Sequence, residues 1–229
     1  MATKAFSIIV SLREVVMGEH STIPIVKRAK SGIAGLDEIL AGGFPVGHFY
    51  LVEGHPGTGK TTLALQFLLE GLVHGESGLY VTLSESKNEL HEVAQSHGWT
   101  IENLSLFELA TPEEAVLPDG QYTFFHPSEV ELGQTTKSLL EEVDRVRPMR
   151  IVFDSLSEMR LLARDPLRYR RQVLGLKQFF TNRGATVLVL DDLTSNQSDL
   201  QPQSIAHGVI GLEQMAPEYG AERRRCRVS

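Results

Sequence analysis

The run Gly54-His55-Pro56-Gly57-Thr58-Gly59-Lys60-Thr61-Thr62 fits the spacing G-x-x-x-x-G-K-[ST] without a mismatch. Each residue type in that spacing has a physical task. Glycines let the backbone curl until successive N–H groups converge on phosphate oxygens. The helix that starts at the end of such a loop adds the positive end of its dipole. A lysine at position 60 reaches β- and γ-phosphates, and a hydroxyl at position 61 suits Mg²⁺. Gly54 to Thr62 are therefore candidate phosphate-binding residues, with Lys60 also a candidate catalytic residue and Thr61 a candidate metal ligand. The chemistry implied is that of a nucleoside triphosphate, ATP with Mg²⁺.

Two acids stand where such chemistry would use them. The apolar run Arg150 to Ser155 (RIVFDS) ends in Asp154, and an acid at such a strand end holds magnesium directly or through water. Asp and Ser also favour helix N-caps, so capping is the competing assignment. The run Leu79 to Glu85 (LYVTLSE) ends in Ser84 and Glu85. A carboxylate at the tip of the strand that follows the phosphate loop and its helix can orient or deprotonate an attacking water. Here too the alternative is capping, with Ser84 or Ser86 starting a helix and Glu85 in its first turn.

The elements needed to position these residues are legible as an alternation. Gly32 to Leu40 has helical apolar spacing and stops at Gly42-Gly43. A strand is expected at His48 to Glu53, then a helix from the loop through Leu72, a strand at Leu79 to Leu83 and a helix at Lys87 to His97. Further strands are expected at Leu104 to Leu109, Arg150 to Asp154 and Ala185 to Leu190, with helices at Glu131 to Arg145 and Pro166 to Asn182. Thr111 to Pro127 and Asp191 to Ser204 read as loops, and Val209 to Glu213 with Arg225 to Val228 as a closing strand pair. Strands separated by helices imply an α/β fold with a mostly parallel central sheet and helices on both faces. Residues 1–26 form an N-terminal extension with a short strand at Ser7 to Leu12, and residues 27–229 form one domain.

Composition narrows the class. The 229 residues are 41% hydrophobic and 22% charged, with a net charge of -7. That fits a globular chain of one domain and disfavours a dedicated nucleic-acid protein. Cys226 is the single cysteine, so neither an internal disulfide nor a cysteine zinc site can form within the chain. The histidines His91, His97, His126 and His207 lack metal-ligand spacing. No apolar run is long enough to span a bilayer, and a cytoplasmic location is expected.

Taken together, SGIAGLDEILAGGFPVGHFYLVEG before the glycine loop, LYVTLSESKNEL after it, RIVFDSLSEMR and the late HGVIGLE with ERRR resemble the RecA superfamily of P-loop NTPases. The likeness is closer to the KaiC-like ATPases. It runs from about Val26 to the C-terminus, and Gly35 to Asp37 is among its specific marks. The resemblance implies a cytosolic ATPase that assembles as a ring, commonly a hexamer, with ATP between neighbouring subunits and a regulatory, circadian-clock-like role. By position it assigns phosphate binding to Gly54 to Thr62, magnesium to Asp154 and catalysis to Glu85.

Two departures bear on turnover. The clock proteins carry two adjacent glutamates where this chain has Ser84 and Glu85. The family also continues past ERRR into a Lys-x-Arg segment that would begin about where this chain stops, so the domain reads as truncated at its C-terminus. Slow hydrolysis is the expectation. The alternatives are a non-hydrolysing, ATP-dependent assembly module and a RecA-like DNA motor. The loop Thr194 to Gln203 has no Lys or Arg, which speaks against the motor. Asp191 and Asp192 carry little expectation of a nucleotide-sensing role. The arginines at 160, 164, 168, 170 and 171 read as a solvated helix face or a subunit interface. Arg223 to Arg225 read as a solvated or interface strand edge.

Overall fold

A computed structural model of the chain describes residues 26–109, 127–163, 165–193, 202–215, 219–221 and 223–229, with side chains described from residue 136 onward in the helix that begins at Pro127. The expected strand at Ser7 to Leu12, the loop at 111–126 and the loop segment 194–201 lie outside these residues.

A short antiparallel pair, β1 (Arg28–Ala29) and β2 (Phe44–Pro45), brackets helix α1 (Ala34–Ile39). The main sheet then begins with β3 (Phe49–Gly54), followed by α2 (Lys60–Val73), β4 (Gly78–Thr82), α3 (Lys87–Ser96) and β5 (Ser105–Glu108). Next come α4 (Pro127–Val146), β6 (Arg150–Asp154), α5 (Leu156–Ala163), α6 (Pro166–Asn182) and β7 (Thr186–Asp192). A 3-10 turn at Pro202–Ser204 precedes β8 (Gly208–Met215) and β9 (Arg223–Val228). The strands lie in the order β5-β4-β6-β7-β3-β8-β9, all parallel except the last, which runs antiparallel to β8. The α/β reading with a mostly parallel sheet is borne out.

Because successive strand residues point to opposite faces, residue parity sorts the core. Leu51, Leu79, Val81, Ile151, Phe153, Val187 and Val189 pack on one face against α4, α5 and α6. Tyr50, Val52, Tyr80, Val152, Leu188 and Leu190 pack on the other against α1, α2 and α3. This sorting decides which acids at the strand ends meet the glycine loop.

Three differences from expectation have local causes. Helix α5 follows β6 at once and buries Leu156, Met159 and Ala163, a spacing too short to stand out among its polar neighbours. Helix α4 starts at Pro127 rather than Glu131, with proline acceptable at a helix start. Strand β7 runs on to Asp192, since Glu53 and Gly54 of β3 pair with Asp191 and Asp192.

Arg150, 2% exposed at the start of β6, ties the elements under α2 together. It donates to the carbonyls of Lys30 (2.6 Å) and Phe67 (2.7 Å) and pairs with Glu76 at 2.6 Å. A Cβ on Gly71 would lie 2.5 Å from Arg150 Cδ, so α2 can sit on this guanidinium only through a glycine. Among the described residues no helix is long and apolar enough to cross a membrane.

Candidate functional site

The glycine loop joins the carboxyl end of β3 to the start of α2. A Cβ on Gly54 would meet the Leu212 carbonyl oxygen and Thr58 Oγ1, each at 2.6 Å, so only glycine lets β3 turn into the loop here. Gly59 holds φ +100 at the position that caps α2, a conformation open to glycine. Thr58 Oγ1 donates to the His55 carbonyl at 2.8 Å and closes the turn.

The start of α2 is left bare. No side chain caps it and its first turn holds no acid. Elsewhere caps are built in: Ser86 and Glu89 form a reciprocal capping box on α3, and Asp165 accepts from Arg168 N at the start of α6. The free N–H groups of α2 suit an anionic acceptor. Beside them the Lys60 ammonium donates to the carbonyls of Gly54 (2.9 Å) and His55 (3.1 Å) and pairs with Asp192 Oδ1 at 2.6 Å.

On the far side of Thr61 lie the two expected acids. Thr61 Oγ1 donates to Glu85 Oε1 across 3.4 Å. Glu85 Oε2 is buried and has no hydrogen-bond partner among the described residues. Burial, with the charge of Asp154 adding to it, pushes the Glu85 carboxyl up to about 7. Asp154 is 7% exposed, and burial moves it up to about 6, against the hydrogen bond it accepts from Tyr80 OH at 2.6 Å. The same burial and the same acid hold the Tyr80 hydroxyl well above its ordinary value.

The capping alternative for Glu85 gives way to Ser86, which is the N-cap of α3 and leaves Glu85 outside the helix. Thr82 fixes the Glu85 main chain instead: its hydroxyl accepts from Glu85 N at 2.9 Å and donates to Glu85 O at 2.7 Å. Thr82 and Tyr80 were missed in the sequence. Both lie on the face that β4 shares with Asp154, where Thr82 and Asp154 are register partners. Asp191 and Asp192, from which the sequence led to little expectation, separate: Asp192 turns to Lys60 and Asp191 to Arg160 at 2.8 Å on the opposite face. The arginine patch is thus partly used internally, with Arg160 paired, Arg170 donating to Ser204 Oγ at 3.0 Å, and Arg164 outside the described residues. His207 serves the fold: its Nδ1 accepts from Phe49 N at 3.0 Å.

The residues fit a magnesium nucleotide. A helix start without a cap and a buried ammonium suit phosphate, and an unpartnered carboxylate oxygen beside a hydroxyl suits a cation or its water. Among the described residues no group of three or more His, Cys, Asp or Glu could hold a metal alone. A hard cation with few protein ligands, completed by phosphate and water, matches that setting. On the other side of the loop a cleft of about 450 Å³ opens between α1, α2 and β9, lined by Leu36, Ile39, Thr58, Thr62 and Leu212.

A parallel sheet of this order, with a glycine loop between β3 and α2, defines a RecA-like nucleotide-binding domain. The family model described as "ATPase: KaiC" matches residues 29–228, and the chain belongs to this family. A protein of Thermotoga maritima named UPF0273 is 29% identical over 205 residues, covering 82% of this chain and 79% of that one. A UPF0273 protein of Pyrococcus furiosus is 30% identical over 193 residues, covering 82% and 77%. The circadian clock oscillator protein KaiC of a Picosynechococcus species is 44% identical over 108 residues, which is 44% of this chain and 20% of that protein. The solved structure of a KaiC-like protein from Pyrococcus horikoshii matches with a TM-score of 0.70 at 27% identity, covering 89% of this chain and 88% of that one.

Proposed function

We propose that residues 27–229 form an ATPase domain that binds Mg-ATP at Gly54 to Thr62 and hydrolyses it slowly, with residues 1–26 as an extension. The observation that carries this reading is the uncapped start of α2 between the Lys60 ammonium and the Thr61–Glu85–Asp154 group. In this reading the loop N–H groups and Lys60 hold the β- and γ-phosphates. Thr61 and Asp154 hold Mg²⁺, which when bound withdraws charge from the phosphate oxygens. Glu85, with one carboxylate oxygen unpartnered among the described residues, accepts the proton of the attacking water. The apolar cleft beside Thr62 takes the base. A homo-oligomer, by family resemblance a hexameric ring in the cytoplasm with a regulatory, clock-like task, completes the proposal. Leu161, Leu167 and Leu174, exposed on α5 and α6, supply apolar surface for such contacts.

Two variants test the site. Lys60→Ala is expected to weaken Mg-ATP binding on the order of 100-fold, the loss of charged hydrogen bonds, with the fold retained. Unchanged affinity by calorimetry would defeat the phosphate-loop assignment. Glu85→Gln keeps shape and removes the base, so turnover is expected to fall at least about 100-fold while ATP binding stays intact. Ser84, where the clock proteins have a second glutamate, favours one other reading: an assembly module in which ATP only joins subunits. Turnover unaffected by Glu85→Gln removes Glu85 from catalysis. A parent with no turnover, whose mass in light scattering rises with Mg-ATP, supports the assembly module.

A further inference from the structure

We propose that Arg224 binds the nucleotide within its own chain, gripping its α-phosphate end rather than its γ-phosphate. The inference rests on the nucleotide reading above and assigns a binding residue to it.

The ladder between β8 and β9 sets the direction of the side chain. Leu212 is the register partner of Cys226, and Gln214 of Arg224. Cross-strand partners share a face, and Leu212 is buried on the α2 face of the sheet. Arg224 and Cys226 therefore face α2. Arg225 faces the opposite way, where it pairs with Glu213 at 2.9 Å. The run of arginines is thus split by the pleat, with Arg224 on the face of the loop and Arg225, which also borders the cleft beside it, on the other.

Arg224 reaches the loop at Gly59. Its Nη1 lies 3.6 Å from where a Cβ on Gly59 would stand, next to the uncapped start of α2. Among the described residues no carboxylate pairs with it. A guanidinium beside an uncapped helix start, with no carboxylate partner among the described residues, suits an anion, and its fork matches phosphate oxygens.

The position of Arg224 around the loop selects the phosphate. Lys60, Thr61, Glu85 and Asp154 gather on one side, where charge must be handled during hydrolysis. Arg224 lies on the other, lining the apolar cleft with Thr58 and Thr62. A nucleotide with its terminal phosphate at Lys60 and its base in the cleft passes Arg224 with its α-phosphate. That phosphate is common to ATP and ADP, so Arg224 contributes equally to both and adds nothing special in the transition state.

The test uses the full chain and compares Arg224→Gln, Arg224→Lys and Lys60→Ala with the parent. Arg224 is exposed, and thermal melts verify that its variants fold. Arg224→Gln is expected to weaken Mg-ATP and Mg-ADP by the same factor, about tenfold or more, the loss of a charged hydrogen bond. It is expected to raise KM and leave kcat unchanged, with Arg224→Lys between the two. Mixing Arg224→Gln with Lys60→Ala chains is expected to restore nothing, since each intact residue must act in its own subunit. Unchanged affinity for both nucleotides in Arg224→Gln, with Lys60→Ala still defective, overturns this assignment alone. A fall in kcat with ADP affinity intact, or recovery on mixing, overturns it in favour of an arginine acting on a neighbour's γ-phosphate. Unchanged affinity in Lys60→Ala strikes the nucleotide reading itself.

Discussion

Helix α2 has a buried cation near each end, and the two are held in nearly the same way. Lys60 pairs with Asp192 at 2.6 Å and donates to the carbonyls of Gly54 and His55. Arg150, under the last turns, pairs with Glu76 at 2.6 Å and donates to the carbonyls of Lys30 and Phe67. They differ in enclosure. The Arg150 and Glu76 side chains are 3% and 14% exposed, whereas Asp192 opposite Lys60 is 33% exposed. A guanidinium held through Nε and Nη1, with its partner largely shut in, is a structural tie. An ammonium whose partner reaches water can trade that partner for a phosphate. Identical pairing chemistry therefore means structure at one end of the helix and ligand exchange at the other, and solvent access separates the two.

Stability should expose the difference first. Arg150→Met leaves Glu76 as a largely enclosed charge without its partner and takes a donor from the Lys30 and Phe67 carbonyls, which is expected to cost about 3 kcal/mol. Lys60→Met leaves Asp192 free to be hydrated and is expected to cost less than about 1 kcal/mol. Denaturant unfolding of both variants measures the gap. Equal losses would break the comparison. Adding Glu76→Leu to Arg150→Met should recover part of the loss, because no lone charge then remains buried.

The next effect belongs to the nucleotide end alone. Asp154 moves from 3.8 up to about 6 and Glu85 from 4.5 up to about 7, both chiefly through burial. A raised carboxyl pKa favours the neutral form in the fold. The stability this contributes is complete below the unfolded values and is lost as pH rises through the folded ones. Without nucleotide or metal, these groups should therefore lower stability progressively between about pH 4 and pH 7, by on the order of 3 kcal/mol for Asp154. Asp154→Asn should flatten that part of the profile in melts across the range. A parent and variant with parallel profiles would show that Asp154 titrates as an ordinary exposed acid.

What the sequence discloses follows the same division. The glycine loop, Asp154 and Glu85 were legible because each stands at the end of a strand marked by its own apolar run. The roles of Tyr80 and Arg150 were not, because each depends on which strand lies beside which; the hold of Thr82 on Glu85 is local, but nothing in the run LYVTLSE singles it out. Tyr80 meets Asp154 only because β6 inserts next to β4, and Arg150 meets Glu76 where the start of β6 lies beside the turn that leads into β4. Asp191 and Asp192 could not be told apart for another reason. The run Val187 to Leu190 is apolar at every position, since both faces of β7 are buried, so no alternation marks the side each acid takes. Arg223 to Arg225 pose the same problem in reverse: three consecutive arginines carry no alternation of their own until the ladder to Leu212 supplies it.

The smallest effect is the sharpest probe of the exchange at Lys60. A triphosphate arriving at the loop must take the ammonium from Asp192, and its charge is repelled by that acid until it does. Asp192 also accepts from Ser157 Oγ, but at 3.4 Å that tether is weak. Asp192→Asn keeps the shape and removes the competing charge, while Lys60 retains its two carbonyls. Nucleotide affinity should rise by up to about fivefold, the value of a partly exposed ion pair near 1 kcal/mol. The gain should appear with and without Mg²⁺, since it comes from the ammonium and not from the cation side. Calorimetric titration under both conditions distinguishes the possibilities. A loss of affinity confined to Mg²⁺ would place Asp192 among the groups that serve the metal. No change in either condition would show that the Lys60–Asp192 pair opens without cost. The two ends of α2 would then differ in how strongly their cations are held as well as in how well they are enclosed.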